Sequence, residues 1–555
     1  MKKNLRSNAA NNPGRRAHWL ALGISDEDMQ KPKIAVVNSS SELAICFSHL
    51  DGVARIVKDA IRAAGGLPFE IRTTAPSDFI FMGGGGGYIL SSRDLIVNDI
   101  EVQVEGAQLD GMICLSSCDK TPPAHLMAGG RLNIPTILVI CGYQPSGRYE
   151  NKQVDLEDVW FGSVQKAFGK LSEEKLRGMT ENAVRGPGVC AGMATANSMH
   201  VVCEALGMAL PGSAPVLADS PRMKAFARMS GKRIVEMVLE DLKPRDIMTP
   251  GAFRNAVSAV LAVSGSINCI KHLQATACES GVAIDIFKTF NEMGEKIPVL
   301  SAVKPNGSYT INQFEDAGGA RAIMKQLETV LDTGVMTVTG TTVAENLREA
   351  VVYDDDVIRP MDKAFSYKSP IVILRGSLAP ESAVVKLGIR DGSRTAQFTG
   401  PAIVYDVAEE AIHAIEMGEV KAGQVLVIRG MGLKGGPAMA GAASLVVFAL
   451  DSAGLSTEVA FISDGQLSGL CNKGITVAEV SPESAVGGPL ALVRNGDQIS
   501  IDVDKQLLDL DVSEAELAQR RERLGDQGLP EATGYLSIYQ RTVQPMSTGA
   551  VFVKK

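Results

Sequence analysis

Aromatic residues make up only 5% of this 555-residue chain, with two tryptophans, and no stretch approaches the roughly 20 uninterrupted apolar residues of a membrane helix. A membrane partner is therefore not expected. Positive charge is not in excess either: 55 Lys and Arg stand against 63 Asp and Glu, a net charge of −8. The lack of a basic footprint argues against nucleic acid as the main partner. The opening MKKNLRSNAANNPGRR is basic but lacks the apolar core of a secretory signal, so it is read as a polar arm whose Arg and Asn serve a substrate or a neighbouring subunit. Nine cysteines occur without one CxxC pair, which argues against a zinc ribbon. In a large chain without a signal they are expected as reduced thiols in the cytoplasm. Tandem repeats and low-complexity segments are absent.

What is abundant is glycine, 56 residues, so many backbone segments turn tightly or approach something closely. The length exceeds what one core serves, and two domains are expected, 1–368 and 369–555. In the first, KIAVVNSS, LDGMICLSSC and IPTILVICG read as strands, with HLDGVARIVKDAIRAAGG and LMAGGRLN as helices between them. That alternation, extended over about 370 residues, predicts a parallel α/β sheet. Ligands collect beyond the carboxyl ends of such strands, where SSSELAIC and SSCDK both fall. After the linker AFSYKSP, short runs such as GPAIVYDV, GQVLVIRGMG and EVAFISDG are separated by Gly, Pro and Asp. They predict a β-rich, barrel-like domain. LDVSEAELAQRRERL reads as a capped surface helix.

Cys46, Cys118 and Cys190 stand in loops among Gly, Pro and Ser, unlike Cys114, Cys141, Cys203, Cys269 and Cys278, which read as small buried apolar residues. Loop thiolates with backbone amides around them suit a metal centre. Asp119 and Lys120 follow Cys118 directly, and Asp78 lies in APSDFIFMG. Two carboxylates and an amine suit a hard cation such as Mg²⁺, although a solvated turn with an ion pair has the same composition. GMGLKG at 430–435 matches a dinucleotide fingerprint, with Asp451 near the acidic position, but it sits in the β-rich half. GGGGG at 83–87 lacks the Lys-Ser/Thr ending of a phosphate loop and reads as a hinge or close-approach loop. Ser468 in SDGQLSG lies in a glycine-flanked turn with no histidine near it in sequence.

Taken together, SELAICFSHL, CDKTPPAHLMAGGRLNIPT, GVCAGMATANSM, SGSINCIKHL, ILRGSLAPESAVVK, IRGMGLKGGPAM, SDGQLSG and VSPESAVGGP resemble the dihydroxy-acid dehydratase / phosphogluconate dehydratase family over nearly the whole chain. The resemblance implies a hydro-lyase that converts a 2,3-dihydroxy acid, branched-chain or aldonic, into a 2-keto acid. It implies a 2Fe-2S cluster on Cys46, Cys118 and Cys190, and Mg²⁺ on Asp78, Asp119 and a carbamylated Lys120. Ser468 matches the serine proposed as base, and a homodimer or homotetramer is expected. One departure concerns the cation: Gly441 stands where the family has a glutamate completing the magnesium shell. Weaker Mg²⁺ binding and room for a bulkier or more anionic substrate are expected from that loss. The competing readings are a nicotinamide oxidoreductase using GMGLKG and a family-derived binding or regulatory protein without turnover.

Overall fold

In the computed structural model, residues 5–6, 12–389, 396–437 and 441–552 are described. Most of the N-terminal arm lies outside them. Within it, Arg6 is turned onto its own chain, its backbone N–H on Asp110 at 2.6 Å and its guanidinium on the carbonyl of Leu109 at 3.1 Å.

The first sheet has four parallel strands, β1 (Lys33–Asn38), β2 (Leu67–Arg72), β3 (Gly111–Ser116) and β4 (Thr136–Ile140), in the order β2-β1-β3-β4. β1, β3 and β4 are buried along their whole length, which is why they read as continuous apolar runs. The strand–helix alternation stops at β4. Beyond it come a small hairpin, β5 (Gly147–Tyr149) with β6 (Lys152–Val154), and then helices only up to Leu347. The expected alternation over 370 residues is thus too long, because buried helices such as Pro250–Ala262 are as apolar as strands.

The second sheet contains β7 (Ile371–Leu374), β8 (Ser382–Lys386), β9 (Gln397–Tyr405), β10 (Val425–Ile428), β11 (Ala460–Ser463), β12 (Thr476–Ser481), β13 (Gln498–Asp502) and β14 (Leu507–Leu510), in the order β14-β13-β9-β10-β11-β12-β8-β7. A bridge between Arg375 and Leu507 joins the two ends, so the sheet is nearly closed and the barrel-like expectation stands. Alternate side chains serve two cores. Val425, Val427, Ala460 and Ile462 fill the barrel, whereas Leu426, Ile428 and Phe461 join the large core of the first sheet and its helices. The segment expected as a linker is tied down, with Val299 and Ser366 forming a bridge. The C-terminal helix Gly534–Thr542 returns to the first half, and the fully buried Arg93 donates to the carbonyls of Gly549 and Ala550 at 2.9 and 2.8 Å. The surface helix forms at Glu514–Leu524 with Ser513 as its cap. Among the described residues no helix is long and apolar enough to cross a membrane.

Candidate active site

The cavity that matters opens at the carboxyl ends of β1 and β3 and measures about 240 Å³. Cys46 follows β1 in a short turn, Ile45–Phe47, and Cys118 follows β3. Ser117 Oγ donates to the carbonyl of Cys46 at 2.7 Å and so ties the two loops together. Cys118 adopts φ +58°, which turns the chain sharply into the helix Thr121–Leu132. Cys46, Cys118 and Cys190 all line the cavity. The thiols of Cys46 and Cys118 are hydrogen-bonded to each other, and this contact followed by burial raises the Cys118 thiol well above its usual range. Burial raises Cys190 as well, reinforced by the charges of Asp119 and Glu157. Of the cysteines read as packing residues, Cys114, Cys141, Cys203 and Cys269 are buried away from the cavity lining and Cys278 is half-buried.

Asp78 and Asp119 line the same cavity, and the buried Lys120 donates to both Asp78 oxygens at 3.2 and 2.9 Å. Asp119 is pushed up to about 7, first by burial and then by the charge of Asp78, against the opposing pull of Lys120. Burial lowers Lys120, yet the two aspartates outweigh it and hold the ammonium above its usual value. Two partly buried carboxyls thus stand near one buried ammonium, which is hydrogen-bonded to Asp78. Among the described residues, no three Cys, His, Asp or Glu side chains are already grouped as a ready metal cage. In the same cavity wall Gly441, at φ +104°, begins the helix Ala442–Ala453. A Cβ there would stand 3.2 Å from Met82 Cγ.

Ser468 completes the lining from the barrel side. Its turn is heavily fixed. Ser468 N donates to Ser444 Oγ at 2.8 Å, Cys471 N donates to the Ser468 carbonyl at 3.1 Å, and Leu470 N donates to Ser468 Oγ at 3.3 Å. Lys386, buried and lowered to about 8 by that burial, donates to the Gly469 carbonyl at 3.0 Å.

Several residues here escaped the sequence reading. Thr195 bonds Asp119, accepts from Asn268 Nδ2 at 3.0 Å, and Asn268 in turn accepts from Lys271 at 2.5 Å. Lys271 then pairs with Glu479 of β12, both fully buried, so one polar chain runs from the carboxylate site into the barrel. SGSINCIKHL carried Asn268 and Lys271 in plain sight, but only their separation by one helical turn hints at a shared face. Glu157, discussed below, gave no signal.

The glycine loop GMGLKG has its amides filled from within. Gly430 and Met431 donate to Asp464 at 3.2 and 2.9 Å, and Lys434 and Gly435 donate to Glu483 at 2.9 and 3.2 Å. A Cβ on Gly432 would stand 1.9 Å from Glu483 Oε2, so this glycine is required by the carboxylate. The pyrophosphate-sized nest that a dinucleotide needs is already occupied by side chains.

Family models match both halves of the chain. The N-terminal model of dihydroxy-acid/6-phosphogluconate dehydratases matches residues 31–346, and the C-terminal model matches 356–550. The chain belongs to the dihydroxy-acid/6-phosphogluconate dehydratase family. It is 41% identical over 539 residues to a dihydroxy-acid dehydratase of Caldicellulosiruptor saccharolyticus, covering 97% of both chains. It is 43% identical over 536 residues to one of Methanococcoides burtonii, covering 96% of both, and 41% identical over 540 residues to one of Pyrococcus abyssi, covering 97% of both. The expected enzyme class, a dehydratase and hence a hydro-lyase, stands. The oxidoreductase and turnover-free readings fall away.

Proposed function

We propose that this dehydratase removes water from a 2,3-dihydroxy acid, aldonic or branched-chain, to give a 2-keto acid. One observation carries the proposal: Cys46, Asp78, Cys118, Asp119, Cys190 and Ser468, from separate segments of both sheets' loops, line one cavity. In this reading residues 1–368 and 369–555 act as two domains with the site at their junction, a common place for a ligand pocket.

Three thiols on one cavity fit a 2Fe-2S cluster, since two of them already lie within hydrogen-bond reach. Asp78, Asp119 and Lys120, the last as its carbamate, fit Mg²⁺, because two partly buried carboxyls beside the Lys120 head group are hard oxygen donors that call for positive charge. When bound, the two groups supply Lewis acidity to the departing hydroxyl and to the substrate's acid end.

Ser468 takes the carbon-2 proton. A free hydroxyl is too weak a base at neutral pH, so its oxyanion needs stabilising. Leu470 N–H points at Oγ, and the Lys386 ammonium sits on the next carbonyl. The electron pair left on carbon 2 forms the double bond as the carbon-3 hydroxyl leaves, that oxygen collects the proton held by Ser468 to depart as water, and the enol becomes the keto acid by moving its O–H proton to carbon 3. Exposed Leu43, Ile45 and Ile80 at the cavity are consistent with a second copy of the chain against this face, in a homodimer or homotetramer. Nine free thiols fit a reducing, cytoplasmic setting.

The test is anaerobic incubation of the holoprotein with a panel of aldonic and branched 2,3-dihydroxy acids, scoring 2-keto acid. Formation of keto acid from one class is expected; none from any member overturns the reading.

A further inference from the structure

Glu157 is a charged-type side chain that the chemistry above does not use. It is 4% exposed, it stands in the cavity wall, and neither carboxyl oxygen has a hydrogen-bond partner among the described residues. A buried carboxyl left in that condition is destabilising, so it calls for an explanation.

The bland explanation is that acids favour the first turn of a helix. Glu157 is indeed the second residue of the helix Leu156–Ala167. That turn is already capped: Asp155 accepts from Glu157 N at 3.0 Å and Asp158 N at 3.2 Å, and Lys304 pairs with both aspartates at 2.7 Å. The cap fixes the backbone of Glu157 and leaves its carboxyl unused. The carboxyl lies against the loop that carries Cys190, and a Cβ on Gly192 would stand 2.8 Å from Glu157 Oε1. The loop thus gives room for the acid at the side of the cavity bearing a proposed cluster ligand. Trp160, one turn further along the same helix, lines the cavity with Leu156.

We infer that Glu157 recognises a hydroxyl group on the substrate's tail, beyond the two hydroxyls that react. The inference rests on the dehydratase reading and sharpens it: the preferred substrate is a polyhydroxylated acid, not one with a bare alkyl tail. Either protonation state serves, because a carboxylate accepts from a hydroxyl and a carboxylic acid both donates and accepts. A hydroxylated chain can lay its C–H faces on Trp160 while one hydroxyl meets the acid. An alkyl tail would pack equally well on the apolar wall but would leave Glu157 without a partner. Sites built to bond a hydroxyl discriminate against analogues lacking it for that reason.

The experiment compares two 2,3-dihydroxy acids of equal carbon number, one polyhydroxylated and one with a saturated hydrocarbon tail, on the wild-type holoenzyme, Glu157→Gln and Glu157→Leu. The wild type is expected to favour the polyhydroxy acid in kcat/KM by about 10- to 100-fold, the size of one unsatisfied buried group. Glu157→Leu should erase or invert that preference, and Glu157→Gln, which still donates and accepts, should keep it within about fivefold. A wild type favouring the alkyl tail, or a Gln variant that loses the preference along with Leu, overturns the inference. Should the Leu variant not fold, the wild-type and Gln arms still decide. If neither acid is turned over, the dehydratase reading fails, and calorimetric binding of the same two acids decides the role of Glu157 separately.

Discussion

Asp119 offers the sharpest quantitative test of the cation site. Burial, then the neighbouring charge of Asp78, raises it to about 7. Against an ordinary aspartate near 3.9, that gap corresponds to about 4 kcal/mol favouring the neutral acid. Its folded value exceeds its unfolded one, so its stabilising contribution is complete below about pH 4 and is lost as pH rises to about 7. A hard cation needs the ionised form and reverses this preference. Binding below pH 7 must therefore release about one proton, and affinity should climb about tenfold per pH unit before levelling off above 7. Between pH 5 and 7 the expected gain is roughly 50-fold, because half the groups are still protonated at 7. The measurement is calorimetric titration of EDTA-dialysed holoprotein with Mg²⁺ and Mn²⁺ at half-unit pH steps, repeated in buffers of different ionisation enthalpy to count protons. Asp119→Asn should bind more weakly with a flattened slope. Affinity constant from pH 5 to 8, or a slope unchanged in Asp119→Asn, would refute the argument.

Ser468→Ala should lower kcat by about 10²- to 10⁴-fold with KM little moved and the visible spectrum unaltered; a normal kcat removes the serine as base. Lys271→Met leaves Glu479 buried and uncompensated, so it should cost about 3–5 kcal/mol in urea unfolding, and adding Glu479→Leu should recover at least half. A double variant no better than the single one would show that the pair is not coupled. Gly441→Glu adds a carboxylate to the cavity wall but forces a side chain onto φ +104°, so metal-free protein should lose about 1–2 kcal/mol. Gly441→Ala should share that loss, and no loss in either would mean that the backbone relaxes freely.

Much of the architecture was legible because buried strands announce themselves as apolar runs bounded by turns. KIAVVN, ILVI and VLVI all fold where that pattern puts strands. The pattern fails between about residues 195 and 347, where helices covered on all sides lose their amphipathic period and resemble strands. At the site, the loop cysteines and Cys-Asp-Lys were visible because their chemistry is unusual for a turn. The glycine fingerprint was ambiguous for the opposite reason: GMGLKG shares its spacing with a phosphate loop and was discounted only for its place in the β-rich half, and its partner is a glutamate about 50 residues away, which no local reading supplies. Thr195 and Lys386 are ordinary residues made special only by what tertiary folding places beside them.

That contrast separates structural from functional carboxyls. Glu204, Glu483, Asp119 and Glu157 all lie in places where burial raises them, to about 7, 7, 7 and 8. The raised values alone do not distinguish them. Glu204 accepts from the amides of Gly212 and Ala214, both at 2.8 Å, and Glu483 accepts from Lys434 and Gly435. Those two are satisfied by backbone and stiffen loops, and neither lines the cavity. Asp119 and Glu157 do line it, and they differ in turn. Asp119 is half-satisfied by Thr195 and Asp78, as expected of a group that exchanges a proton or ammonium for a cation. Glu157 has no hydrogen-bond partner among the described residues. A fold that meets the needs of Glu204 and Glu483 so fully has the means to satisfy a buried acid, so the one it leaves open on the cavity wall marks where a ligand's polar group belongs.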